Sequence, residues 1–180
     1  MSGRPVYVPQ SLARHFRRQA FGVWAIALAG VAAWVILIVL PPLALTNGSE
    51  TISTPLYTFF SYICHQIPDR SLHLTGHPLA VCSRCFGVYS GLLAGFLAYP
   101  FWRRIEEVEP IARFWLFLSL IPIGIDWSLT IFGVWENTHL SRFLTGLILG
   151  VICATFIVPA LVEIFRNYFS KTDRSSEFTV

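Results

Sequence analysis

Residues 21–40 read FGVWAIALAGVAAWVILIVL, twenty consecutive positions without a charged side chain. As a helix rising about 1.5 Å per residue, such a stretch covers about 30 Å, the thickness of a bilayer's hydrocarbon core. A secretory leader is the competing reading, because Arg14, Arg17 and Arg18 stand just before the run. Leaders, however, use an apolar region of about 7–15 residues followed by a cleavage site of small residues, and neither feature is found here. The stretch therefore predicts a membrane-spanning helix, ended by Pro41 and Pro42.

The signal recurs downstream. Apolar runs extend from Val81 or Cys85 to about Trp102, from about Phe114 to Phe132, and from about Leu144 to Phe165. With 54% hydrophobic and 13% charged residues among 180, the composition lies well outside the soluble range. The second run carries Gly87, Gly91 and Gly95, and the fourth Gly146, Gly150 and Ala154. Small residues four apart let helix backbones approach closely in lipid, so these two helices are expected to form the tight pair. Besides membrane lipid, the same stripes offer a docking face to a second copy of the chain or to a larger membrane complex.

The expected organisation is an all-α polytopic membrane protein with four transmembrane helices. An N-terminal arm (1–20) precedes a single membrane domain (21–165) with one long loop (43–84), and a tail (166–180) follows. Basic residues set the direction. Arg4, Arg14, Arg17, Arg18, Arg103, Arg104, Arg113, Arg166, Lys171 and Arg174 fall on one side, against Arg70, Arg84 and Arg142 on the other. Both termini are thus expected in the cytoplasm and the long loop outside. A net charge of +3 is then mostly topology signal, and no nucleic-acid binding is inferred. In the loop, Ser53 or Thr54 before Pro55 marks a helix start, and Leu56, Phe59, Phe60 and Ile63 recur at helical spacing. That pattern predicts a short interfacial helix. Trp24, Trp34, Trp102, Trp115, Trp127 and Trp135 mostly fall near span ends, as interfacial anchors do.

Reactive residues concentrate in this loop. Cys64-His65 follows the short helix, His73 and His77 come next, and Cys82-Ser83-Arg84-Cys85 opens the second span. Two residues between cysteines let both sulfurs turn toward one point, which suits a tetrahedral metal or a disulfide. In the metal reading, Cys64, Cys82 and Cys85 supply three thiolates to a zinc ion and one of His65, His73 or His77 the fourth ligand. In the redox reading, the helix dipole and Arg84 stabilise a thiolate at Cys82 or Cys85, with Cys64 as resolving partner. A plain loop staple, or buried thiols without chemistry, is the third reading. No glutamate stands beside the histidines and HExxH is absent, which argues against a zinc protease. Cys153, alone in the fourth run, reads as a small interface residue.

Asp126 falls about two-thirds of the way along the third span, where a charge costs several kcal/mol unless partnered. Arg142, with Asn137 and His139 just before it, is the nearest expected partner, and Arg84 the other. Arg70, Arg84, Asp126, Asn137 and Arg142 are thus candidates for one supporting polar pocket.

The pattern Cys64-His65-Gln66-x-Pro68-x-Arg70-Ser71, then Gly76, then Val81-Cys82-x-Arg84-Cys85-x-Gly87-x-Tyr89-x-Gly91, resembles a prokaryotic membrane family known as domain of unknown function 2085. Asp126 and Arg142-x₂-Thr145-Gly146-x₃-Gly150 extend the resemblance, which covers about Cys64 to Gly150. Where that family more often has threonine, this chain has Phe86. The resemblance implies a multi-pass protein of the prokaryotic plasma membrane and supports Cys64, His65, Cys82 and Cys85 as the site, without naming a reaction. A CxxC at a helix start in a four-span protein also resembles, in architecture alone, quinone-linked thiol oxidoreductases. The leading expectation is a zinc site of Cys64, His65, Cys82 and Cys85. A thiol–disulfide exchanger using Cys82 and Cys85 with Cys64 is the alternative, and an accessory subunit of a larger complex is a third role.

Overall fold

The computed structural model describes residues 10–134 and 136–177. Arg4 and Trp135 lie outside the described residues, as do the side chains of Lys171 and Arg174. The chain forms α1 (Gln10–Thr46), α2 (Glu50–Ser61), a single 3₁₀ turn (Pro68–Arg70), β1 (His73–Leu74), β2 (His77–Pro78), α3 (Ser83–Trp102), α4 (Phe114–Ile131) and α5 (His139–Glu177). Four stretches are long and apolar enough to cross a membrane: Arg14–Thr46, Ser83–Trp102, Phe114–Ile131 and His139–Tyr168. The architecture is an all-α polytopic bundle whose only strands, among the described residues, are one two-residue hairpin. The segments at 47–82, 132–134 and 136–138 share one end of it, the loop end. The start of α1, the segment at 103–113 and the exit of α5 share the other.

The bundle is organised by α3 against α5. A Cβ added at Gly87 or Gly91 would collide with the carbonyl of Phe143 or Leu147, and one at Gly146 or Gly150 with that of Arg84 or Val88. Both small-residue stripes are therefore filled by each other within the chain, at backbone contact. Phe96, Tyr99, Ala154 and Val158 continue the seam, with Trp24, Ala27, Leu28 and Val31 of α1 packed against it. α4 packs on α5, and its Phe114, Phe117, Ile121, Ile125 and Trp127 face outward.

Several boundaries differ from the sequence reading. α1 does not end at Pro41 and Pro42 but runs on to Thr46. A proline within a helix has no N–H to donate and frees the carbonyl four residues back, and a tertiary donor can take it up. Pro42 frees the carbonyl of Ile38, which accepts from the backbone N–H of Ala80 at 3.4 Å. Pro100, near the end of α3, frees that of Phe96, which accepts from the indole N–H of Trp24 at 3.0 Å. The prolines thus create docking points instead of stops. α2 begins at Glu50, with Pro55 inside it, and α5 begins at His139 and continues through 166 without a break.

At 37 residues α1 is about 55 Å long, well beyond a hydrocarbon core of about 30 Å. Its last turns carry α2, which folds back along them. Buried Ser53 donates to the Pro41 carbonyl at 3.1 Å, and fully buried Phe60 packs on Ile38. Trp34 stacks edge-on against Phe59, Phe60 and Tyr89, with ring centroids 5.8, 5.4 and 5.9 Å away. Trp24 and Trp34 are therefore packing residues. Trp102, Trp115 and Trp127 are exposed, as an interfacial belt requires.

Candidate metal centre

Each sulfur of the loop end is positioned by a different device. α2 ends in a tight turn in which the amides of Ile63 and Cys64 both donate to the Phe60 carbonyl, at 3.0 and 2.9 Å. Gln66 then takes a left-handed backbone, φ 48°, and its side-chain amide donates to the carbonyls of Tyr57 and Ala80, both at 2.8 Å. One side chain thereby ties the end of α2 to the approach to α3. Between them the chain reverses through Thr75 and Gly76, both at positive φ (53° and 85°), as a two-residue hairpin turn needs. Leu79 N–H donates to the Leu72 carbonyl at 2.7 Å, and the Tyr57 hydroxyl to that of Pro78 at 2.5 Å. The chain returns to Cys82, the N-cap of α3, and Cys85 follows in the first turn.

The sulfurs of Cys64, Cys82 and Cys85 all lie within 4.8 Å of one another, and none is in a disulfide. Cys64 is buried among Ile38, Phe60, Leu79, Ala80 and Val81, while Cys82 and Cys85 are half-buried. The backbone N–H of Cys82 donates to the Cys64 sulfur at 3.3 Å. Hydrogen bonds from the Cys82 and Cys85 side chains, joined by the Cys82 and Gln66 amides, hold the Cys64 thiol well below its ordinary range against the opposing effect of burial. These bonds favour one thiolate among the three and leave the proton on its neighbours, so a metal that takes all three sulfurs displaces those protons. Zinc bound about 2.3 Å from each sulfur in a tetrahedron needs sulfurs about 3.7 Å apart, a separation inside the 4.8 Å limit within which the three lie.

No histidine joins this group among the described residues. His65 and His73 are exposed and His77 is half-buried on β2. The structure therefore gathers three of the four sequence-expected ligands and leaves His65 outside.

A polar network lies beside the thiols. Asp126 is 8% exposed, and its partner is Arg84, with nitrogen and oxygen 2.5 Å apart, not Arg142. The reason is the register of α3 on α5, which carries Arg84 at the start of α3 toward α4. Asn137 donates to the same carboxylate oxygen at 2.8 Å, and Thr130, one helical turn after Asp126, hydrogen-bonds the Asn137 side chain. Arg142 is half-buried within electrostatic reach of Arg70, Arg84, Asp126 and Cys82. Arg70 contributes its backbone: its carbonyl accepts from buried Ser83 at 2.9 Å, and the Ser83 hydroxyl also meets His139 Nδ1 at 3.0 Å. Ser83 thus joins the loop, α3 and α5. Sequence reasoning passed over Gln66, Ser83 and Thr130. Thr130 had a signal in its i+4 spacing from Asp126, and Gln66 in its place within the motif Cys64-His65-Gln66.

A four-span helical bundle with three thiols and a buried ion pair at one end defines a polytopic membrane protein with a candidate metal centre beside its spans. The chain belongs to the family described as predicted membrane protein DUF2085, whose model matches residues 64–157. That range holds all three thiols, the Asp126 network and both small-residue stripes. The chain is 38% identical over 124 residues, 69% of its length, to an uncharacterized protein of Methanocaldococcus jannaschii, of which 80% is covered. It is also 38% identical over 92 residues, 51% of its length, to an uncharacterized protein of Methanothermobacter thermautotrophicus, of which 81% is covered. No solved structure matches the chain.

Proposed function

We propose that this protein binds one zinc ion through the thiolates of Cys64, Cys82 and Cys85, on the outer face of a prokaryotic plasma membrane, with both termini in the cytoplasm. The observation that carries the proposal is the convergence of three sulfurs from two separate elements within 4.8 Å. Three thiolates fit a borderline-soft ion, and a loop whose regular structure is one 3₁₀ turn and a two-residue hairpin gains order from one. The hydrogen-bonded Cys64 sulfur and its apolar shell supply the surroundings that orient ligands. With His65 outside the cluster, the fourth coordination position is left to a small external ligand. Arg84, Asp126, Asn137 and Thr130 brace the wall of the site, and Arg70 and Arg142 stand beside it.

Elemental analysis with thiol counting tests this. One zinc per chain with all four cysteines reduced is the expected result, and no metal with two oxidised cysteines overturns it. That second outcome would favour the other reading, a thiol–disulfide exchanger using Cys82 and Cys85 with Cys64. The observation in its favour is Cys82 at the N-cap of α3, where the helix dipole stabilises a thiolate. For the cellular role we propose an accessory subunit of a larger membrane complex, supported by the outward apolar face of α4. Copurification with defined partner chains tests that role, and a chain that stays alone in mild detergent contradicts it.

A further inference from the structure

At the end of the bundle opposite the thiols, the surface combines a basic cavity with an apolar groove. A cavity of about 460 Å³ is lined by Arg17 of α1 and by Arg103, Arg104 and Glu106 at and beyond the end of α3. Three guanidiniums face one carboxylate there. Arg103 bonds Glu107 through Nε at 3.3 Å, but its Nη1 is buried without a partner. A buried donor left unpaired is costly until an acceptor reaches it. A second cavity of about 280 Å³ shares Glu106 with the first and is lined by Phe16, Ala20, Val23 and Ile26 of α1 and Val162 and Phe165 of α5. From Phe16 to Ile26 the helix rises about 15 Å, so the groove leads from the level of Arg17 into the first turns of the apolar run that begins at Phe21. A topology signal explains positive charge near span ends. It requires neither a cavity shared by two segments nor an apolar groove leading from it.

We propose that this end holds one anionic phospholipid, its phosphate between Arg17, Arg103 and Arg104 and one acyl chain in the groove between α1 and α5. The site is independent of the thiol centre. The test titrates the purified protein in detergent with phosphatidylglycerol, phosphatidylcholine and inorganic phosphate, counting bound lipid by native mass spectrometry. One phosphatidylglycerol is expected to be retained at least about tenfold more tightly than phosphatidylcholine. The double variant Arg17→Gln/Arg104→Gln, at two exposed positions, is expected to lose that preference. Arg113→Gln, at the same end but outside both cavities, is expected to keep it. Val23→Trp, which fills the groove, is expected to weaken retention with every arginine in place. Equal retention of the two lipids leaves only apolar adsorption, an equal loss in Arg113→Gln leaves only general surface charge, and either result overturns the proposal. Inorganic phosphate binding as tightly as the lipid, or unchanged retention in Val23→Trp, overturns it in favour of a free-anion site.

Discussion

Cys64 enters the cluster from the end of α2, and Cys82 and Cys85 enter it from the start of α3, so each sulfur depends on the hairpin between them. If the three act as one ligand set, Cys64→Ser, Cys82→Ser and Cys85→Ser should each abolish stoichiometric zinc, whereas His65→Ala should keep it, as read by elemental analysis. The ion pair makes a separate prediction. Asp126→Asn leaves the Arg84 charge partly buried without its counter-ion and should cost about 3 kcal/mol in detergent unfolding, while Arg84→Met/Asp126→Met should recover most of that. The thiol cluster was legible in the sequence because two-residue spacing is a local constraint. The partner of Asp126 was not, because choosing Arg84 over Arg142 depends on how α3 and α5 are rotated against each other. Nor was the exposure of His65, which follows from the backbone turn at Gln66.

The helices were legible to the extent that apolar length determines them, and the prolines show where that reading stops. Pro41 and Pro42 look like a stop because local chemistry forbids their helical hydrogen bonds, yet the Ile38 carbonyl finds Ala80, 42 positions along the chain. Pro42→Ala restores a competing donor within α1, so the Ala80 amide should exchange with solvent about fivefold faster, a loss of about 1 kcal/mol readable by hydrogen exchange. The α3–α5 seam was visible from its glycines, since spacing by four states which face must be bare. Gly91→Ala and Gly150→Ala should each destabilise the bundle by about 1–3 kcal/mol. Gly124→Ala, with nothing within 4 Å of an added Cβ, should be neutral or stabilising.

The fold places its chemistry asymmetrically. The loop end gathers thiols, an ion pair and a hairpin, while the opposite end gathers arginines around cavities. If the arginines orient the chain as proposed, a membrane-impermeant thiol reagent applied to intact cells should modify the cluster once its metal is chelated. A tag placed after Val180 should stay protected until the membrane is opened. Modification only after opening would invert the topology.

Zinc-edge X-ray absorption on the purified protein tests the central claim most directly. Three sulfur scatterers at about 2.3 Å with one lighter fourth neighbour are predicted. A zinc shell with fewer than three sulfurs, or protein that holds no zinc while its thiols are reduced, would contradict it.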